Sequence, residues 1–131
     1  MPILLDHLIV PSHDNSKGAQ FLGELLGVPW EPGDHFAPVH VNETLTLDFA
    51  NREQFDSHHY CFHVSSEEFE AIFARIKARS IAYRSTPQGP FDMQINTRNG
   101  GKNLYWSDAD GHNWEILTVS YARPSGSRVE S

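Results

Sequence analysis

The chain has one cysteine in 131 residues, Cys61. A single thiol forms no internal disulfide and builds no thiolate metal cluster. A reducing compartment is the default for such a chain. Positive charge is also scarce: 10 Lys and Arg stand against 17 Asp and Glu, a net charge of -7. That balance excludes nucleic acid and an anionic membrane as natural partners, since both demand clustered cations. No apolar run approaches the roughly 20 residues of a membrane span. The opening MPILLDHLIV lacks the basic region and the length of a secretory signal, so the protein reads as cytoplasmic.

What is present fits one compact domain, residues 1–131, with 39% hydrophobic and 11% aromatic residues. Residues 3–10 read as a buried strand stopped by Pro11. Asn15 or Ser16 caps a helix running to Leu26, with Phe21, Leu22, Leu25 and Leu26 on one stripe and Gly27 as its stop. APVHV and TLTLDFA read as two strands joined at Asn42-Glu43. After the linker NREQFDS a strand is expected at about 58–64. Ser65 and Glu68 then form a capping box ahead of Phe69, Ile72, Phe73 and Ile76. Further strands are expected near 81–85, 92–97, 103–107 and 113–119, with a tight turn at Gly111. Each half gives strand, helix, then several strands. The pattern predicts two βαβββ modules, about 3–50 and about 58–119, and a polar frayed tail over 120–131.

The stretch SHHYCFHV places His58, His59 and His63 beside Cys61. Neighbours on a strand point opposite ways, so these histidines do not converge on one ion. If His59 faces a pocket, Cys61 and His63 share its wall and His58 does not. His63 is then a candidate substrate contact. His7 holds the corresponding place in the first opening strand. Glu115 lies inside the last strand between apolar neighbours, where a buried charge requires a partner. Two histidines and a carboxylate on three strands make a facial triad with open coordination positions. Fe, Mn, Zn or Ni suits such donors, and binding should weaken below about pH 6 as imidazole protonates. The plain alternative is a strand-end His7 bonded to backbone, with Glu115 paired to Arg98 or Lys102.

HHYCFHV and NLYWSDADGHNWEIL resemble the vicinal oxygen chelate superfamily of glyoxalases, extradiol dioxygenases, fosfomycin-resistance transferases and bleomycin-binding proteins. The family's H-x-x-F-x-V is matched by His59, Phe62 and Val64. Its closing hairpin is matched by Tyr105, Trp106, Asp108, Asp110, Gly111, Glu115 and Ile116, with Ala109 in place of the usual Pro. The resemblance implies an α+β fold, two βαβββ modules forming a cup-shaped mixed sheet with helices outside. It implies one divalent metal ion on His7, His59 and Glu115, Tyr105 at the substrate, and Asp48 as a fourth ligand or base. Arg98 and Lys102 then grip an anionic substrate at the pocket mouth. The implied function is a metal-dependent glyoxalase- or dioxygenase-like enzyme, lyase or oxidoreductase, chelating a small molecule through two oxygens. The other reading is a metal-free drug-sequestering protein of the bleomycin-resistance type. Either is expected as a homodimer, its site built within one chain or across two.

Overall fold

The computed structural model describes residues 3–122. Most of the tail expected over 120–131 lies outside them. The chain divides into two compact units, Met1–Asp56 and Ser57–Ser131. Among the described residues no helix is long and apolar enough to cross a membrane.

The first unit runs β1 (His7–Ser12), α1 (Asn15–Leu26), β2 (Phe36–Asn42) and β3 (Leu45–Asn51). Its sheet order is β1-β3-β2, with β1 parallel and β2 antiparallel to β3. A parallel pair needs a crossover, and α1 lies within it. Val10, Ala37, Val39, Leu47 and Phe49 are buried, as are Ala19, Leu22 and Leu25 of α1. Each large apolar side chain among them contributes about 1.5–3 kcal/mol by leaving water. The helix lies close on the sheet: a Cβ on Gly18 would stand 2.8 Å from Phe49 Cδ2.

Three details differ from the sequence reading. The strand begins at His7, and Ile3, Leu4 and Leu5 are exposed. Its first rung is Thr46 N–H to the Asp6 carbonyl, at the start of β3, so earlier residues have no neighbour there. Pro11 does not stop the strand, because it sits on an edge strand. The Asp6 and Ser12 carbonyls face β3, so the nitrogen of Pro11 points away from the ladder. The helix cap is Asp14, whose carboxylate accepts from Lys17 N–H; Gly27 ends the helix at φ 74°.

The second unit runs β4 (His59–His63), α2 (Ser66–Ala78), β5 (Asn103–Ser107) and β6 (Asn113–Leu117), in sheet order β4-β6-β5. The Ser65/Glu68 capping box is present, and α2 buries Phe69, Ile72 and Ile76. The strands expected near 81–85 and 92–97 shrink to single bridges onto β5, Arg84 to Tyr105 and Asn96 to Asn103. Between them the chain carries Pro87, Gly89 and Pro90, and Met93 takes φ 55°. The Asp92 carboxylate also ties back Ser85 N–H, Ser85 Oγ and Gln94 N–H, which closes a local loop. In the first unit the fourth strand is likewise one bridge, Trp30 to Val39. Each module is thus a three-stranded mixed sheet with one helix.

A polar knot fixes the β5–β6 turn. Asp108 accepts from Trp114 Nε1 at 2.8 Å, from His112 N–H at 2.9 Å and from Asp110 N–H at 3.0 Å. His112 is fully buried and accepts His58 N–H on Nδ1 at 2.9 Å. Trp114 in turn stacks on Tyr60, with centroids 4.5 Å apart. Asp108→Ala leaves buried donors unmet, so it is expected to cost about 1–3 kcal/mol in urea unfolding. An unchanged midpoint would refute this role for the knot.

Candidate functional site

The register of the second sheet builds the site. Glu115 on β6 lies opposite Cys61 on β4 and Tyr105 on β5. Residues two apart share a face, so His59, His63 and Asn103 lie on this same side. The other side carries Tyr60, Phe62, Leu104, Trp106, Trp114 and Ile116 toward the core.

Glu115 has no exposure. His59 Nε2 approaches its Oε1 at 3.0 Å, and the Tyr121 hydroxyl donates to the same oxygen at 2.7 Å. Asn103 Nδ2 donates to Oε2 at 3.1 Å and to the Tyr105 hydroxyl at 3.2 Å. Cys61 is exposed as a residue, but its thiol also hydrogen-bonds Glu115. A buried carboxylate without donors would cost several kcal/mol, so this ring of donors lets it sit in the sheet. Neither cation weighed as its partner serves. Arg98 donates through N–H and Nε to Asn96 Oδ1. Lys102 pairs with Glu70.

Desolvation is the first cause that lifts Cys61, Tyr105 and Tyr121 above their ordinary values, with Glu115 reinforcing it. All three therefore remain proton donors at neutral pH. A cavity of about 440 Å³ opens beside them, lined by Pro87, Asn96, Arg98, Asn99, Asn103, Tyr105 and Tyr121. Arg98 is its only formal charge. His63 faces the same side of the sheet, where its Nε2 donates to the Thr118 carbonyl at 3.1 Å. Lys102 and His63 do not line the cavity.

In the first unit, His7 pairs with Thr46 and Ile9 with Asp48, so His7, Thr46 and Asp48 share a face. His7 Nδ1 bonds Asp6 Oδ2 at 2.8 Å. That bond, more than the charge of Asp48, raises the imidazole above 6.5. It also leaves Nε2 as the nitrogen suited to a metal, the carboxylate–histidine arrangement common at metal sites.

Among the described residues no three His, Cys, Asp or Glu side chains gather as a metal-holding group. The pair His59–Glu115 nevertheless fits two corners of such a site. Bonds of about 2.1 Å at a right angle would hold two donors about 3.0 Å apart. The observed separation is 3.0 Å. Imidazole with carboxylate suits Fe, Mn, Zn or Ni.

Sequence reasoning missed Asn103 and Tyr121. Asn103 was legible by parity, two residues before Tyr105 on the same strand. Tyr121 was assigned to the tail. Its only sequence signal is a large aromatic just beyond the last apolar run.

In metal-free protein, Glu115→Gln removes the charge that opposes ionisation. Alkylation of Cys61 and the ultraviolet titration of the tyrosines should both shift to lower pH. If neither moves, Glu115 is not the charge that these groups feel.

No family model matches the chain. It is similar to the oxidase ChaP-H1, at 37% identity and TM-score 0.85, covering 93% of this chain and 100% of that one. Oxidase ChaP-H2 aligns at 36% identity and TM-score 0.85, covering 92% and 97%. The glutathione transferase FosA of Serratia marcescens is 26% identical over 126 residues, covering 90% of this chain and 82% of FosA.

Proposed function

The chain belongs to the vicinal oxygen chelate superfamily, and on that premise we propose a metal-dependent oxidoreductase that takes a small molecule through two neighbouring oxygens. One observation carries this reading: a fully buried Glu115 whose Oε1 meets His59 Nε2 at 3.0 Å on the sheet face beside a cavity lined by Asn103, Tyr105 and Arg98. The likeness to two proteins named oxidases favours oxidation over glyoxalase-type isomerisation. His59 and Glu115 would hold the ion with His7, supplied by the same chain or by the partner copy of a homodimer. Fe²⁺ or Mn²⁺ would supply Lewis acidity and one-electron chemistry toward oxygen.

The chain's own groups have separable tasks. Tyr105 keeps its proton at neutral pH and donates it in a hydrogen bond to a substrate oxygen. Asn103 fixes the hydroxyl of Tyr105 and the carboxylate of Glu115 together. Arg98, held by Asn96, draws a negatively charged oxygen to the cavity rim. Asp48 is the candidate base for a substrate proton, and His63 a wall of the pocket. Lys102 balances Glu70 and adds positive potential near the loop that carries Arg98.

Protein purified without added metal and reconstituted anaerobically should bind one Fe²⁺ or Mn²⁺ per site. His59→Ala should weaken that binding by more than about 100-fold, beyond the loss usual for a residue that merely hydrogen-bonds a ligand. Oxygen consumption with aromatic vicinal diols should follow the bound metal. Ligand imidazoles must be neutral, and Asp6 favours protonated His7. Metal binding should therefore weaken as the solution is acidified, because protonated His7 offers no lone pair. No stoichiometric divalent ion under these conditions would sink the proposal. Tight uptake of an aromatic drug by metal-free protein would then support the sequestering reading.

A further inference from the structure

The C-terminal end of the described chain adds a residue to the site. After β6, Thr118 is pinned to Lys102 by its N–H to the Lys102 carbonyl and by its Oγ1, which accepts Lys102 N–H at 2.9 Å. Ala122 N–H then bonds Ser120 Oγ at 3.1 Å. This turn brings Tyr121 back over its own strand. Its ring is about half exposed and forms part of the cavity wall, while its hydroxyl reaches Glu115 Oε1 at 2.7 Å.

A carboxylate offers two oxygens and about four lone-pair directions. Here they are divided unequally. Oε2 is turned to Asn103 Nδ2 at 3.1 Å. On Oε1 the Tyr121 hydroxyl takes one direction, and His59 Nε2 approaches from another. A carboxylate held in this way presents one oxygen on the side of His59 and cannot swing freely to a two-oxygen contact.

We propose that Tyr121 and Asn103 clamp Glu115 as a one-oxygen ligand, with Tyr121 as the positioning residue. The proposal rests on the metal-binding reading above. Tyr121 does not touch the ion; it sets the direction of the lone pair that does. Because its ring also lines the cavity, substrate bulk at that wall and ligand geometry are set by one side chain.

The test uses the full chain, stripped of metal and titrated with Mn²⁺ by calorimetry and with Co²⁺ by visible absorption, whose bands report coordination number and geometry. Tyr121→Phe keeps the ring and removes the donor. It should leave the thermal midpoint within a few degrees, weaken Mn²⁺ binding about tenfold and change the Co²⁺ bands. Asn103→Ala should change the same bands, and Asn103→Gln should restore them in part. A Tyr121→Phe protein with wild-type Mn²⁺ affinity and wild-type Co²⁺ bands would overturn the clamp and leave the metal reading intact. A wild-type chain that binds neither ion would overturn the metal reading, and the clamp with it.

Discussion

A carboxylate with no access to water sits in the middle of a β-strand, and the second module is arranged around that fact. Glu115 has Trp114 and Ile116 as neighbours, both fully buried. A carboxyl group so buried needs hydrogen-bond partners in place of water. His59, Asn103 and Tyr121 provide them from β4, from β5 and from the chain after β6. These donors are neutral or titratable side chains, and among the described residues no lysine or arginine is bonded to Glu115.

Sheet parity makes this possible without damage to the core. On β4, β5 and β6 every second residue faces the donors of Glu115, and the residues between them carry aromatic and aliphatic bulk. Trp114 illustrates the division. Its ring packs with Tyr60 and Phe62, its Nε1 is bonded to Asp108, and its neighbour Glu115 points the other way. A slip of one residue in the β4–β6 register would put His59 and Trp114 on the same face, burying the one or exposing the other. The Asp108–His112–His58 bonds guard against that slip, because they lock the turn before β6 to the residue before β4. The first module repeats the logic more weakly. Val10, Leu47 and Phe49 are buried in the core, while His7, Thr46 and Asp48 share the opposite face.

Much of this was legible in the letters. Both helices, the capping box and the Gly27 stop follow from local rules, and the structure keeps them. Strand parity put His59, Cys61 and His63 on one face and Tyr60 and Phe62 on the other, as the β4–β6 register has them. The errors came where local chemistry competes with longer-range pairing. Pro11 looked like a terminator, but on an edge strand its missing N–H removes no ladder bond. Residues 81–85 and 92–97 have strand-like composition, yet Asp92 folds the chain between them back on Ser85. The burial of His112 involves accepting a backbone N–H 54 residues away, which no local pattern announces. Tyr121 was hidden for the same reason: its value lies in where a short turn returns it.

The donor ring also explains why the fold and the candidate chemistry support each other. His59 Nε2 and the Tyr121 hydroxyl both meet Oε1, so this oxygen of the carboxylate is turned to the side of His59. On the proposed reading His59 and Glu115 would hold the ion, and Tyr121 and Asn103 would keep their contacts to the carboxylate. Little side-chain reorganisation would then be needed, and reorganisation weakens a binding site. The same economy sets a limit. A substitution that removes a donor leaves a buried carboxylate less well satisfied and, on that reading, would also weaken the ligand geometry, so stability and metal affinity would be coupled except where one donor can leave with its ring in place. Tyr121, beyond the end of β6 with a half-exposed ring, is such a position. Asn103, buried on a central face of the hairpin, is not.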